Sequence, residues 1–179
     1  MTQSPIVARA WRRLLEQPPA AHAAAFPNPG ALQERIERDR CFEEDGAFKR
    51  IIRSPGPQVI AWLDNPDTGS VMTYAAIFPQ RDDFYAFTPD RIGAKSLGIL
   101  GVWVHPSHRK QGHAKTVMEH LGAFLTPVPF KGLLLSAEES VVGLAQSRLP
   151  IYVLARWAYQ QPNIYSLRRE LSGKVAMAA

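Results

Sequence analysis

The sequence predicts a mixed α/β sheet with one helix on each of two crossovers, and three observations lead there. Between residues 58 and 171 the patterns run strand, strand, strand, helix, strand, helix, strand, strand. Residues 132–136 (Gly-Leu-Leu-Leu-Ser) form a short apolar run beside two helical patterns, which suits an interior parallel strand. Residues 102–114 read as a strand stopped by Pro106, a short cationic turn, and a small-residue entry into a helix.

The elements follow in order. Residues 4–16 read as a helix: Ser4 caps it, Pro5 suits its first turn, and Ile6, Ala10 and Leu14 share a face. Pro18 and Pro19 end it. Residues 20–26 are alanine-rich and read as a short helical turn. Residues 31–42 read as a second helix, and residues 46–53 as a short strand. Residues 58–63 and 71–78 are strands, and Asp64-Asn-Pro-Asp-Thr-Gly69 between them makes an antiparallel hairpin. Residues 79–97 form a long irregular segment carrying Phe84, Tyr85 and Phe87, and loops of this length are often functional.

Residues 98–104 are the strand before the turn. Residues 114–125 form an amphipathic helix that buries Val117, Met118, Leu121 and Leu125. Residues 138–147 are helical, and Pro150 breaks or restarts that helix, which 151–156 then continue. Residues 157–160 and 163–171 read as a closing hairpin, and 173–179 as a frayed tail.

The chain of 179 residues reads as one domain, with a helical N-terminal segment (1–45) and a core at 58–171. No apolar run reaches the roughly 18–20 residues of a membrane helix, and the N-terminus lacks a signal-peptide pattern. Cys41 is the only cysteine, which excludes an intrachain disulfide and a cysteine-based zinc cluster. A cytoplasmic protein with no membrane partner is the expectation.

The net charge of +5 is unevenly placed. Residues 1–101 carry 12 Lys/Arg against 12 Asp/Glu, and residues 102–179 carry 9 against 4. A positive field over the C-terminal half favours an anionic ligand. The turn at 105–114 lies in that half. A helix N-terminus presents N–H groups without acceptors and the positive end of the dipole, which together suit a phosphate. Gly112 lets the backbone approach a ligand, and Ala114 adds little bulk.

Arg109-Lys110-Gln111-Gly112-His113-Ala114, preceded by Val104-His105-Pro106, resembles the signature of the GNAT-type N-acetyltransferases. That signature is Arg or Gln, two residues, Gly, one residue, then Gly or Ala. Tyr152, followed by Trp157, is similar to the family's tyrosine and the aromatic that enters the next strand. Arg156 stands where the family has Gly, and Ala145 and Arg148 where many members have Asn and Ala. The resemblance covers about residues 58–171. It implies a GNAT-like acyl-CoA N-acyltransferase fold with extra N-terminal helices, and acetyl-CoA as acyl donor.

The resemblance also implies roles. The turn residues Arg109, Lys110, Gln111, Gly112, His113 and Ala114 would hold the coenzyme's pyrophosphate. Val102 and Val104, with Trp103 between them, would pair with the pantetheine amides. Tyr152 would be the general acid at the sulfur, or else an aromatic packed under the sheet. Many members dimerise, so a homodimer is an expectation.

The strand before the turn carries no acid, so the general base stays open among His105, Asp82, Asp83 and Glu138, with a water relay as another route. His105 has the side chain that titrates near neutrality. Asp82, Asp83, Phe84 and Tyr85, with Asp90, Trp62 and Trp157, would line the acceptor pocket, and the acids suit an amine-bearing acceptor. His105, His108 and His113 have spacings that suit no common helical metal pair, so no metal is expected. The other function class is a nucleic-acid-associated or regulatory module that keeps the fold, or an acyltransferase acting on a nucleic-acid amine. No aromatic-and-basic stripe or recognition helix supports it.

Overall fold

The computed structural model describes residues 5–30, 32, 34, 56–79, 96–128, 134–149 and 152–157. Among them run α1 (Pro5–Glu16), β1 (Ala23–Phe26), β2 (Gln58–Asp64), β3 (Val71–Phe78) and β4 (Ser96–Val104). A 3₁₀ turn (Pro106–His108), α2 (His113–Leu125), β5 (Leu134–Glu138), α3 (Glu139–Arg148) and β6 (Tyr152–Trp157) follow. The strands form one six-stranded sheet in the order β1-β2-β3-β4-β5-β6. β1 to β4 pair antiparallel, and β4, β5 and β6 pair parallel.

The parallel half dictates where two helices go. Each crossover advances the chain one strand in the same direction, and right-handed crossovers then place both helices on the same face. α2 and α3 pack together there: Gly122 of α2 lies so close that a Cβ would stand 2.3 Å from the Arg148 carbonyl oxygen. Val117, Met118, Leu121, Phe124 and Leu125 of α2, and Ala145 of α3, share a buried cluster with Ala61, Ala75, Ile77 and Leu100 of the sheet. α1 adds Val7, Ala10, Trp11 and Leu14 to the same cluster. The opposite face has its own buried set, in which Ile60, Tyr74, Ala76, Phe78 and Trp103 meet Leu32.

β4 carries an irregularity near its start. Ser96 pairs with Leu134 and Gly98 with Leu135, so the register skips Leu97. Trp11 Nε1 donates to the Leu97 carbonyl at 2.9 Å and satisfies an acceptor that a skipped residue would otherwise leave exposed to the core. Gly98 is required beside it, because a Cβ there would stand 2.1 Å from the Phe78 carbonyl oxygen. Gln17 Nε2 donates to the Phe124 carbonyl at 2.6 Å and ties the end of α1 to the last turn of α2.

Two expected elements differ. Residues 23–26 are strand β1 rather than a helical turn, paired with β2 from Ala23↔Ala61 to Phe26↔Gln58. Proline brackets the segment at 18–19 and 27. Too few residues remain to nucleate a helix, and pairing with an exposed sheet edge overrides alanine's propensity. Residues 152–157 are strand β6 rather than a continuing helix. The last helical bond in that region runs from Leu149 N to the Ala145 carbonyl. Pro150 has no N–H to continue the ladder and restricts the residue before it. The expected strand at 46–53 and the hairpin segment beyond 157 lie outside the described residues, as does most of the helix at 31–42.

Candidate coenzyme-binding site

The site begins where two parallel strands part. β4 pairs with β5 only as far as Leu100↔Ala137, while it pairs with β3 up to Val104. Residues 101–104 therefore have a strand on one side and an open edge on the other. The bond from His105 N to the Met72 carbonyl, 2.9 Å, sets the alternation. In an antiparallel ladder every second residue exchanges bonds with the partner. Trp103 and Gly101 thus turn their backbone groups to β3, and Val102 and Val104 turn theirs to the open edge. The Val104 carbonyl accepts from Arg109 Nε at 3.2 Å. Val102 is left as the residue that aims both its N–H and its C=O along that edge.

The turn past β4 is shaped by its own side chains. His105 caps the 3₁₀ turn, its Nδ1 accepting from Ser107 N at 3.1 Å. Lys110 sits at φ 62 and Gly112 at φ 82, both left-handed. These two reversals swing the chain into α2. Gly112 is the N-cap of α2 and offers no side-chain bond, and the first turn holds no acid. The first intrahelical donor is Thr116, to the Gly112 carbonyl at 3.2 Å. The N–H groups of His113, Ala114 and Lys115 therefore point out of the helix end. A Cβ on Gly112 would meet nothing within 4 Å, so the space over the turn is open. The cradle has N–H donors and a dipole of the right sign for a diphosphate, and Arg109, Lys110 and Lys115 lie in the same stretch of sequence.

Aromatic rings run from the sheet into the turn. Tyr74 and Trp103 are cross-strand partners with centroids 5.8 Å apart. His105 stands edge-on to Trp103 at 5.9 Å, His108 to His105 at 5.5 Å, and His113 to His108 at 6.1 Å. Among the described residues no group of three or more His, Cys, Asp or Glu is arranged to hold a metal ion. No helix among them is long and apolar enough to cross a membrane.

The residues singled out from the sequence fare differently. Val102, Trp103, Val104 and the turn 109–114 come together as one surface. His105 belongs to it, but its Nδ1 lone pair is engaged by Ser107 N–H. That lone pair is occupied while the cap is in place. Tyr152 opens β6 in the row of Leu134, which pairs with Ser96. That row is the end of β4 away from the turn, about 25 Å along the strand from Val104 at ~3.3 Å per residue. Glu138 is the last residue of β5, one past the final β4 pair, and its backbone pairs with Trp157. Asp82, Asp83, Phe84 and Tyr85 lie outside the described residues.

One contributor carries no legible signal in the sequence. Asn65, read only as a turn former, reaches His108 Nε2 at 3.4 Å across a gap that sequence spacing does not reveal. Gln111, already singled out in the turn, reaches the Ser107 carbonyl and His113.

An open strand edge followed by a glycine-capped helix start suits a ligand with an extended arm and an anionic group. The chain matches the model of the acetyltransferase (GNAT) family over residues 19–145. That match spans more than two thirds of the sequence, and the protein belongs to the GNAT acetyltransferase family. The matched span takes in β1 to β5 and α2 and ends inside α3, before Tyr152. No curated protein and no solved structure gives a significant match.

Proposed function

We propose that this protein is an N-acyltransferase that moves an acetyl group from acetyl-CoA to an amine by direct attack in a ternary complex. The observation that carries the reading is the juxtaposition of the open edge at 101–104 with the acceptor-free N–H groups of His113, Ala114 and Lys115. The coenzyme supplies an activated thioester. The chain's own groups bind and orient it: the α2 N-terminus holds the pyrophosphate, and Val102 offers strand-like hydrogen bonds to the arm. An arm running from the turn along the open edge ends where β4 and β5 rejoin, at Leu100 and Ala137.

At that point the nitrogen of the acceptor forms a bond to the acyl carbon, the carbon–sulfur bond breaks, and the thiolate leaves. Positioning the two reactants supplies much of the acceleration. The proton released by the amine needs an acceptor. Glu138, at the parting of the strands, suits this role better than His105, which sits at the pyrophosphate end with its lone pair engaged. Tyr152 is in the row of Leu134, three residues of β5 or about 10 Å (at ~3.3 Å per residue) from the Leu100 row where the arm ends, and is proposed to stand back from the sulfur. Asp82 and Asp83, with Phe84 and Tyr85, are proposed to receive a cationic acceptor.

A panel of amines assayed by thiol release from acetyl-CoA tests the reading. Turnover with at least one amine is expected, and cationic amines are expected to lead. Glu138→Gln should lower kcat by about a hundredfold or more, in the range of a lost general base, with coenzyme affinity unchanged. Tyr152→Phe should leave kcat within about twofold. Steeply salt-dependent binding to DNA or RNA, with no coenzyme binding, would instead support the nucleic-acid module.

A further inference from the structure

Trp11 directs its one polar group at an unusual place in the sheet. Its Nε1 donates to the Leu97 carbonyl at 2.9 Å, in a buried bond between residues 86 apart in sequence. Leu97 belongs to neither ladder of β4. The pairs with β3 stop at Phe78↔Ile99, and the pairs with β5 pass from Ser96 to Gly98. Leu97 and Trp11 lie in one apolar cluster with Val7, Leu14 and Leu100. A carbonyl buried there needs a donor, and the indole N–H supplies one.

The skipped residue sits just ahead of the place where the strands part. An extra residue in one strand bends it, adds twist and can terminate the pairing. β5 is irregular at the same level: its register against β6 shifts between Leu135 and Ser136, the partners of Gly98 and Ile99. The two strands hold one more pair, Leu100↔Ala137, and then part. Leu97 is three positions from that pair, about 10 Å at ~3.3 Å per residue. Phe78 braces the other side of β4, because its carbonyl leaves no room for a Cβ on Gly98. α1 lies before the span that matches the family model, which begins at residue 19. Trp11 is thus this chain's own addition to the sheet.

We infer that Trp11 is a positioning residue: its indole N–H holds the irregularity that parts β4 from β5 and keeps the edge at 101–104 open for the coenzyme's arm. Without that donor, the Leu97 carbonyl regains a partner when Leu97 joins the β5 ladder. Joining it straightens β4, extends the ladder toward Val102 and closes the edge. The arm adds to the parted form alone, so apparent affinity falls with the fraction of chains that stay parted. The phosphate turn at 109–114 lies beyond the parting and keeps its own bonds. Loss of the donor therefore weakens the arm's share of binding and spares the nucleotide's share.

This role rests on the coenzyme reading of the site, and the experiment separates the two. Two ligands are titrated by calorimetry: acetyl-CoA, and adenosine 3′-phosphate 5′-diphosphate, which is the coenzyme without its arm. Two variants remove the donor. Trp11→Phe trims the ring, while replacement of Trp11 by benzothienylalanine exchanges the N–H for sulfur and keeps the ring's size. In both, acetyl-CoA affinity should fall about three- to thirtyfold, with nucleotide affinity within about twofold of the wild type. The benzothienyl variant decides the matter if Trp11→Phe does not fold. Val7→Ala loosens α1 against the same cluster with the indole in place, and should keep the wild-type ratio of the two affinities. An unchanged ratio in the donor-free variants, an equal loss of both ligands, or the same change in Val7→Ala would overturn the inference alone. Failure of either ligand to bind the wild type would overturn the coenzyme reading and this inference with it.

Discussion

Single residues hold the turn and its neighbourhood in unusual states, and each makes a measurable difference. Lys110 adopts a left-handed backbone at φ 62, which costs a residue with a Cβ roughly 1–2 kcal/mol. Lys110→Gly should therefore raise the urea midpoint or leave it unchanged. The same variant removes a cation from the turn and should weaken acetyl-CoA binding, so stability and affinity should move in different directions. Thr73 is fully buried on β3, and its Oγ1 has no hydrogen-bond partner among the described residues. Thr73→Val keeps the shape and removes the orphaned group, and should stabilise the fold by about 1 kcal/mol.

His120 of α2 stacks on His22, with centroids 4.8 Å apart. Its pKa lies below 6.5, chiefly through burial and then through His22, with Glu119 opposing. The folded state thus prefers the neutral ring. Its contribution is fully present above the unfolded value of 6.5 and is lost as the pH falls from there toward the lowered folded value. His22→Ala removes one of the two depressing causes. Urea melts across this window should show a shallower loss of stability in the variant than in the wild type.

Among the elements, the contact between α1 and β4 and the contact between α2 and α3 fix the sheet beneath the site. Trp11 serves the Leu97 carbonyl where the β4 register slips. Trp11→Phe keeps most of the buried ring and deletes the donor, and should cost about 1–3 kcal/mol. Gly122 permits the close approach to Arg148, where the obstructing atom is backbone and cannot rotate away. Gly122→Ala gains helix propensity yet should still destabilise, by about 1–3 kcal/mol. By comparison, the half-exposed ion pair of Arg148 with Glu119, at 3.6 Å, contributes little.

Elements with strong periodicity were legible before any coordinates. The amphipathic pattern of 114–125 marked α2, and the hairpin of β2 and β3 followed from Asp64 to Gly69. β1 and β6 were not. Each is decided by the strand beside it, Ala61 for Ala23 and Leu134 for Tyr152, and a local pattern cannot report a distant partner. The donor turn was legible because its chemistry is contiguous: a strand end, a cation pair and a glycine occur within a few residues. The partner of His108 was not, since Asn65 arrives from the turn between β2 and β3.

At the scale of the whole molecule, one arrangement connects fold to function. All three described helices with defined bounds pack on one face of the sheet, and the parallel strands part at its centre. The parting creates an edge that a linear ligand can join, and the same crossover that makes it delivers a helix N-terminus to one end. Arg109, Lys110 and Lys115 lie in the same stretch of sequence as that helix N-terminus, and their positive charge favours an anionic ligand.

Binding of acetyl-CoA to the wild type and to Gly112→Glu tests this account most directly. A Cβ on Gly112 would meet nothing within 4 Å, and the glutamate's cost to the fold is the left-handed backbone at φ 82, roughly 1–2 kcal/mol. The glutamate does place a carboxylate where the pyrophosphate is expected. Calorimetry should give a clear binding isotherm for the wild type and none for the variant, while circular dichroism shows the same folded chain. Unchanged acetyl-CoA affinity in a folded Gly112→Glu protein would contradict the placement of the phosphates at this turn.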